Sequence, residues 1–211
     1  MKFLLLAIGL LSINAFGQDA KSQGILDNLS KKMKAQKSFY MEFSAKTVNT
    51  NTGLNDSQTG KGWVKGDKFC ASFGDNTIIS NGMKTWTIVK EEKSVYESDT
   101  DADDEEAVNP KKLMTIWENG FKNKYAGENK VNGVACHTIN LYPKNPGDVD
   151  YHTVILYIDK SGNELKKAVM KMKDGTTMTY YLTKFEPNAA VADTKFVFSA
   201  SKYPGYTVIR D

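Results

Sequence analysis

The residue types that bind transition metals are few in this sequence. Its only two histidines are His137 and His152, and neither has a cysteine or histidine nearby at the spacing of a zinc site. Zinc sites need several such ligands converging on one ion, which usually shows as close pairs along the chain. We therefore predict that the protein holds no metal.

An acidic segment from Asp99 to Glu106 has the alternating carboxylates that begin a calcium-binding loop. Such a loop needs glycine at its sixth position and glutamate at its twelfth, where this sequence has Asp104 and Pro110. The segment therefore predicts a solvated acidic loop.

Motifs of the common catalytic and cofactor sites are missing. The sequence has no serine in a G-x-S-x-G turn, and no Gly-Lys pair followed by serine or threonine as in a phosphate-binding loop. Its one S-x-x-K match, Ser199 to Lys202, runs directly into Tyr203-Pro204 without the companion motifs of a serine hydrolase. We predict a protein that is not an enzyme, with no catalytic residues and no cofactor.

The two cysteines, Cys70 and Cys136, fall on separate predicted strands. An exported protein can form a disulfide, but buried cysteines also serve as small apolar side chains, and sequence does not give their distance. Both alternatives stay open at this point.

The first 17 residues have the pattern of a secretory signal peptide. Lys2 supplies the positive charge, Phe3 to Leu11 is almost wholly apolar, and Ala15-Phe16-Gly17 places small residues before a cut ahead of Gln18. The apolar run is about half the roughly 20 residues needed to cross a bilayer. A lipid-anchored bacterial protein would carry cysteine at the cut. We therefore expect a soluble, monomeric periplasmic protein.

Composition is that of a folded domain with strands. The 211 residues are 40% hydrophobic and 11% aromatic, and the formal charge of +3 is spread along the chain. Nucleic-acid binding proteins concentrate positive charge on one surface, so we predict no nucleic-acid partner. Residues 18–211 are expected to form a single domain.

Periodicity predicts one helix followed by many strands. Ile25, Leu26, Leu29 and Met33 recur at helical spacing, and from Ser38 apolar and polar residues alternate. Turn signals then separate ten to twelve strands, which is typical of one long antiparallel meander. The turn pairs are Gly66-Asp67, Gly74-Asp75, Asn81-Gly82, Asn132-Gly133, Ser161-Gly162 and Asp174-Gly175.

A second helix is predicted after the acidic segment. Asn109-Pro110 is a helix-start signal, and Gly120 is placed to end the helix. Its apolar face would carry Leu113, Met114, Ile116 and Trp117.

The strands carry more apolar residues than a sheet with a single buried face needs. Tyr151 to Ile158 is apolar on both faces, and Met170, Met178 and Leu182 continue the pattern on later strands. Two hypotheses follow: an ordinary barrel core, or a sheet that leaves an apolar trough closed by the helices.

Four segments, in order along the mature chain, resemble the periplasmic outer-membrane lipoprotein carrier family, the LolA-like proteins. They are Ser38–Phe43, Gly60–Lys65, Ile79–Trp86 and Asp193–Phe198 with the ending Tyr203–Val208.

The resemblance implies an incomplete, half-open antiparallel β-barrel, mainly β with helices, closed by a helical lid over an apolar cavity. It implies a carrier that shields the acyl chains of lipoproteins and delivers them to the outer membrane. The implied partners are acylated lipoproteins, an inner-membrane ABC exporter complex and an outer-membrane acceptor. A lipid- or lipoprotein-binding sensor of the same fold is the alternative.

Strand alternation and the resemblance together predict the residues of the cavity and lid. They are Phe39, Met41, Phe43, Phe69, Ala71, Phe73, Leu113, Met114 and Trp117. One position departs from the family: Gly66 stands where a basic residue is usual and is implicated in closing the lid. We therefore expect the lid to rest on apolar contacts of Leu113, Ile116 and Trp117 against the sheet.

Overall fold

The computed structural model describes residues 19–100 and 115–210. One α-helix and twelve β-strands lie in those two ranges. The helix is α1, Ala20–Lys34, and the strands are β1 Ser38–Asn49, β2 Leu54–Lys65, β3 Lys68–Phe73, β4 Asn76–Ser80, β5 Lys84–Val89, β6 Ser94–Asp99, β7 Phe121–Val131, β8 Val134–Pro143, β9 Tyr151–Asp159, β10 Leu165–Met172, β11 Thr177–Pro187 and β12 Thr207–Arg210. Short 3₁₀ turns occupy Ile116–Glu118, Asp193–Phe196 and Ala200–Lys202. In the described ranges, no helix is long and apolar enough to span a membrane.

Helix α1 begins at a side-chain cap and buries one face. The Asp19 carboxylate accepts hydrogen bonds from the backbone N–H groups of Lys21 (3.0 Å) and Ser22 (3.2 Å), which satisfies two of the free donors of the first turn. Leu26 and Leu29 are buried at the spacing that predicted the helix. The helical prediction for this segment is therefore confirmed.

The strands form one sheet in the order β12-β6-β5-β4-β3-β2-β1-β11-β10-β9-β8-β7. It consists of two antiparallel meanders, β1 to β6 and β7 to β11, joined where β1 pairs with β11. Phe39 lies opposite Pro187 in this central pair, and Val48 lies opposite Thr177. Strand β12 pairs with β6 in parallel.

Three expectations about the architecture need correction. The strands form two joined meanders instead of one, because hairpin signals specify only neighbours linked by short turns and say nothing of the pairing of β1 with β11. The sheet is mixed instead of wholly antiparallel, with β12 parallel to β6; its edge strands β7 and β12 do not pair with each other, so the sheet is open, which agrees with the half-open architecture that was expected. In the described ranges α1 is the only α-helix; most of the predicted second helix, residues 109–114, lies outside them, and the described end of it forms a 3₁₀ turn at Ile116–Glu118.

One face of the sheet packs against α1, and we call it the α1 face. Its core joins the helix to strands from both meanders, since side chains of β1 to β3 and of β7 to β9 contact the same cluster. The buried members are Leu26, Leu29, Met33, Phe39, Met41, Val64, Phe69, Trp117, Phe121, Ile139, Leu141, Val154, Leu156 and Ile158. Burying a large aliphatic or aromatic side chain contributes roughly 1.5–3 kcal/mol, so this cluster is the main source of stability.

The opposite face, which we call the tail face, has its own core. The segment from Val191 to Val208 covers strands β2 to β6 there, with Phe196 fully buried. Trp86 stacks on Phe198 at 6.0 Å between ring centroids, and Phe198 stacks on Tyr203 at 5.6 Å. The C-terminal tail is thus a structural cover for the β2–β6 half of the sheet.

Candidate functional site

The α1 face continues beyond its buried core into a set of half-buried apolar side chains. We call this set the apolar wall. Its members are Phe43, Ala71, Phe73 and Ile78 on β1, β3 and β4, and Ala168, Met170, Met178, Tyr180 and Leu182 on β10 and β11. Phe73 is 41% exposed, although it is a large aromatic residue. The wall is therefore apolar surface that the described part of the chain covers only in part.

Strand pairing brings six of the predicted site residues onto this one face. Phe39, Met41 and Phe43 of β1 alternate inward, and β2 separates them from the corresponding residues of β3. The register places Phe69, Ala71 and Phe73 two strands away on the same face. Phe39, Met41 and Phe69 are buried in the core, whereas the other three belong to the apolar wall. Their role in binding stays a prediction.

Two aromatic pairs lie on the α1 face, one in the apolar wall and one in the core beside it. Phe43 stacks on Phe73 with 5.7 Å between ring centroids, and Phe39 packs against Phe185 of β11 at 5.6 Å. Gly60 of β2 lies between Phe43 and Phe73 in the register, and its lack of a side chain leaves space for the Phe43 ring. Gly60 thus leaves the space in which the two rings of the apolar wall meet.

Trp117 is placed differently from its prediction. Its side chain is 4% exposed and contacts α1, where the indole N–H donates to Ser30 Oγ at 2.8 Å. Next to it, Lys34 and Glu118 form an ion pair of 2.7 Å. The hydrogen bond from Lys34 holds the pKa of the Glu118 carboxyl below its ordinary value. Residues 116–118 are therefore docked on the helix as well as on the core.

The other residues predicted for the lid are either outside the described residues or exposed. Leu113 and Met114 lie outside the described residues, as do the predicted signal peptide and the greater part of the acidic segment. Ile116, which was expected against the sheet, is 38% exposed, so that expectation is wrong: the chain turns there to bury Trp117 instead. Gly66 lies in the β2–β3 turn at φ +60°, a conformation that favours glycine over a basic residue.

A groove of about 630 Å³ lies between α1 and residues 117–118. Polar and charged residues make up much of its lining, among them Asp27, Ser30, Lys34 and Glu118. It is separate from the apolar wall, which lies on the sheet.

On strands β1 to β6 and on β12, charge lies mainly on the tail face. Cross-strand partners lie on the same face, so the register assigns each side chain to one side. On β1, β3, β5, β6 and β12 every charged side chain lies on the tail face: Glu42, Lys46, Lys68, Lys84, Glu97, Asp99 and Arg210. Strand β4 has no charged residue, and Asp56 at the outer end of β2 is on the α1 face. The middle of the α1 face on these strands is therefore uncharged.

Within residues 19–100 and 115–210, the cysteine and histidine side chains do not form a reactive site. Cys70 and Cys136 are both buried and free, and burial raises the pKa of each thiol, so they are structural and unbridged. In the described ranges no group of histidine, cysteine and carboxylate side chains could hold a metal ion. His137 Nδ1 lies 3.1 Å from the Tyr125 hydroxyl, and burial lowers the pKa of its imidazole.

Sequence reasoning left several wall residues out of the site. Met170, Met178 and Leu182 were recognised as apolar, but their position beside Phe43 depends on the pairing of β1 with β11. Their alternation with polar residues was the available signal, because it places one apolar face on β10 and one on β11. That signal does not say which strand lies next to β1.

The model of one protein family, described as outer membrane lipoprotein carrier protein LolA, matches residues 34–199. No curated protein matches the sequence.

Several solved structures are similar over nearly their whole length. An uncharacterized conserved protein from Thermus thermophilus has a TM-score of 0.60 at 10% identity, covering 90% of this chain and 99% of that one. LprF from Mycobacterium bovis has a TM-score of 0.50 at 12% identity, covering 83% and 97%. A LolA superfamily protein from Nitrosomonas europaea has a TM-score of 0.45 at 12% identity, covering 83% and 97%. The first two likenesses show a shared fold.

Proposed function

We propose that this chain, which belongs to the outer membrane lipoprotein carrier (LolA) family, carries lipoproteins across the periplasm with their acyl chains on the α1 face. It receives them from an inner-membrane ABC exporter complex and delivers them to an outer-membrane acceptor. The protein acts by binding and release, without catalysis.

The observation that carries this proposal is the apolar wall. Folded proteins bury large apolar side chains where they can, and contiguous exposed apolar surface commonly marks a binding site. Here Phe73 is 41% exposed and its neighbours Phe43 and Ile78 are half-buried, on a face whose centre has no charge on strands β3 to β6. An extended hydrocarbon chain is the ligand that such a surface fits.

The free energy of burying acyl chains supports a carrier that passes its cargo directly to an acceptor. Each methylene removed from water contributes about 0.8 kcal/mol. Hiding most of three long acyl chains would then sum to roughly 35 kcal/mol, which is beyond the roughly 20 kcal/mol at which non-covalent affinities saturate. Contact must therefore be partial or offset by conformational cost. Escape of the cargo into water would still be negligible, so the acceptor has to take it from the protein.

Mass spectrometry of material co-purified from cells tests the proposal. We expect acylated proteins bound to the purified chain, and transfer of a fluorescent triacylated peptide from the chain to acceptor vesicles. Free lipids without acylated proteins would favour the sensor of the same fold. No acyl ligand of either kind would contradict the binding role itself.

A further inference from the structure

The apolar wall gives way to a polar region on the same face. Ala71 of β3 pairs with Ile78 of β4, which pairs with Thr87 of β5, and Thr87 pairs with Tyr96 of β6. One row of side chains thus crosses from hydrocarbon to hydroxyl groups within three strand spacings, about 15 Å. The neighbouring row ends in Thr85 and Ser98. We call Thr85, Thr87, Tyr96 and Ser98 the hydroxyl region.

Part of this hydrogen-bonding capacity is unused. Thr85 Oγ1 is 2.9 Å from Thr100 Oγ1, and the Tyr96 hydroxyl donates to Glu92 at 2.6 Å. The hydroxyl groups of Thr87 and Ser98 bond to no side chain or backbone group in the two ranges that the structure describes. Both residues are half-buried, so these two groups are accessible to a ligand lying on the wall.

The four side chains of the hydroxyl region are uncharged, and the charged group that contacts one of them, the Glu92 carboxylate on the Tyr96 hydroxyl, is an anion. Lys84 and Glu97, on the same two strands, form an ion pair of 2.6 Å on the tail face. Arg210 Nε lies 3.5 Å from Glu97 on that face as well. A ligand group on the hydroxyl region therefore meets hydroxyl donors and acceptors but no strand cation.

We infer that the hydroxyl region binds the neutral glyceryl-ester and amide head of a triacylated cysteine whose acyl chains lie on the apolar wall. This inference rests on the proposed function and adds the orientation of the ligand. The linkages of such a head are esters, a thioether and an amide, which carry no charge and accept hydrogen bonds from hydroxyl groups. The boundary between Ile78 and Thr87 matches the boundary between the chains and the head.

The absence of charge selects this ligand over a phospholipid. A phosphodiester is anionic, and proteins bind such groups with arginine, lysine or several backbone N–H groups, because burying an unpaired charge is costly. On the α1 face, β5 and β6 carry one apolar side chain, Val89, and five hydroxyl side chains: Thr85, Thr87, Ser94, Tyr96 and Ser98. A diacyl phospholipid would place its charge where nothing on these strands compensates it.

The experiment compares the double variant Thr87→Val/Ser98→Ala with the wild-type chain. Thr179→Val is the matched control, since Thr179 is half-buried on β11 but on the tail face, opposite Lys46. The probes are a tripalmitoylated cysteinyl peptide and hexadecylpyrene, which has a chain without ester or amide groups. Phosphatidylglycerol serves as a competitor.

We expect the double variant to bind the tripalmitoylated peptide about five- to thirtyfold more weakly, as the loss of two ordinary hydrogen bonds implies. Hexadecylpyrene binding should change less than twofold, and the control should bind both probes like the wild type. Equal weakening for both probes, or none for either, would overturn the inference. So would tighter binding of phosphatidylglycerol than of the peptide. If the wild-type chain bound neither peptide nor hexadecylpyrene, the proposed function itself would fall.

Discussion

The aromatic ring of Phe43 on β1 lies over the backbone of Gly60 on β2. The two residues are direct cross-strand partners, and a Cβ atom at Gly60 would overlap the ring carbons of Phe43. The ring in turn stacks on Phe73, the opposite neighbour of Gly60 on β3. A glycine in the middle of a strand, which ordinarily weakens the strand, is here what allows two aromatic rings to meet.

Replacing Gly60 with alanine should therefore destabilise the protein. The new methyl group forces the Phe43 ring away from Phe73, and overpacking of this kind typically costs about 1–3 kcal/mol. Urea unfolding measures the loss. Gly62→Ala is the control, because a Cβ there would lie 3.5 Å from the Ala71 Cβ, an ordinary contact. Equal stability of the two variants would contradict the packing described for Phe43.

A charge on the apolar wall should abolish acyl binding without unfolding the protein. Phe73→Glu places a carboxylate on the wall at a side chain that is already 41% exposed, so the fold tolerates it. We expect at least a tenfold loss of affinity for a tripalmitoylated peptide. Ser72→Glu adds the same charge one residue earlier, on the tail face opposite Lys61, and should bind normally. A similar loss in both variants would mean that the ligand does not use the α1 face.

Trp117 should stabilise the protein in two separable ways, through its hydrogen bond to Ser30 and through burial of its ring. Trp117→Phe removes the N–H donated to Ser30 but keeps a ring, and should cost about 1–2 kcal/mol. Trp117→Ala also removes the buried ring, and should cost about 3–5 kcal/mol and speed the release of a bound acylated peptide. Adding Ser30→Ala to Trp117→Phe should cost only what the Ser30 hydroxyl contributes through Glu118, because the bond from the indole is already lost. Unchanged unfolding and release in Trp117→Ala would show that this contact neither stabilises the protein nor retains the ligand.

Stability should fall when the medium is acidified from pH 7.5 to pH 5.5, through His137. Burial, with the nearby Lys160 and Lys21, lowers the pKa of its imidazole in the folded protein, while Glu128 opposes the shift. An unfolded histidine has a pKa of about 6.5, so below that pH the unfolded chain takes up the proton first. The stability that neutral His137 contributes is complete above about pH 6.5. It is lost as the pH falls towards the pKa of His137 in the folded protein.

Urea unfolding at the two pH values, with His137→Gln, measures this effect. The variant should lose less stability than the wild type on acidification. His152→Gln is the control, because it leaves His137 and its Tyr125 contact in place. If the His137→Gln protein lost as much stability between the two pH values as the wild type, groups other than His137 would cause the pH dependence.

The sequence allowed the local parts of this fold to be predicted, because local signals determine them. Helix α1 follows from the spacing of Leu26 and Leu29, and the β7–β8 hairpin from Asn132-Gly133, both of which have the positive φ that the turn requires. The pairing of β1 with β11 and of β12 with β6 joins distant segments. Their selection depends on the summed packing of whole faces, which no short pattern contains.

The same distinction applies to the candidate site. Alternation in β1 and β3, with a hairpin signal between β2 and β3, was enough to place Phe43 and Phe73 on one face. The docking of Trp117 on Ser30 could not be predicted, because a buried indole can bond to any acceptor that tertiary packing brings near. Met170 and Leu182 were missed because they reach Phe43 only through the β1–β11 pairing.

The position of β1 in the middle of the sheet has a consequence for biogenesis. The strand made first after α1 finds its second partner, β11, only after Pro187 has been made, and the tail face closes only with β12 near the end of the chain. Contacts between such distant segments make folding slow, since long loops must close before any stabilisation is gained. A nascent chain of this design stays unfolded until its last strands are available. For the periplasmic carrier proposed above, that delay keeps the chain competent to be threaded through a secretion pore.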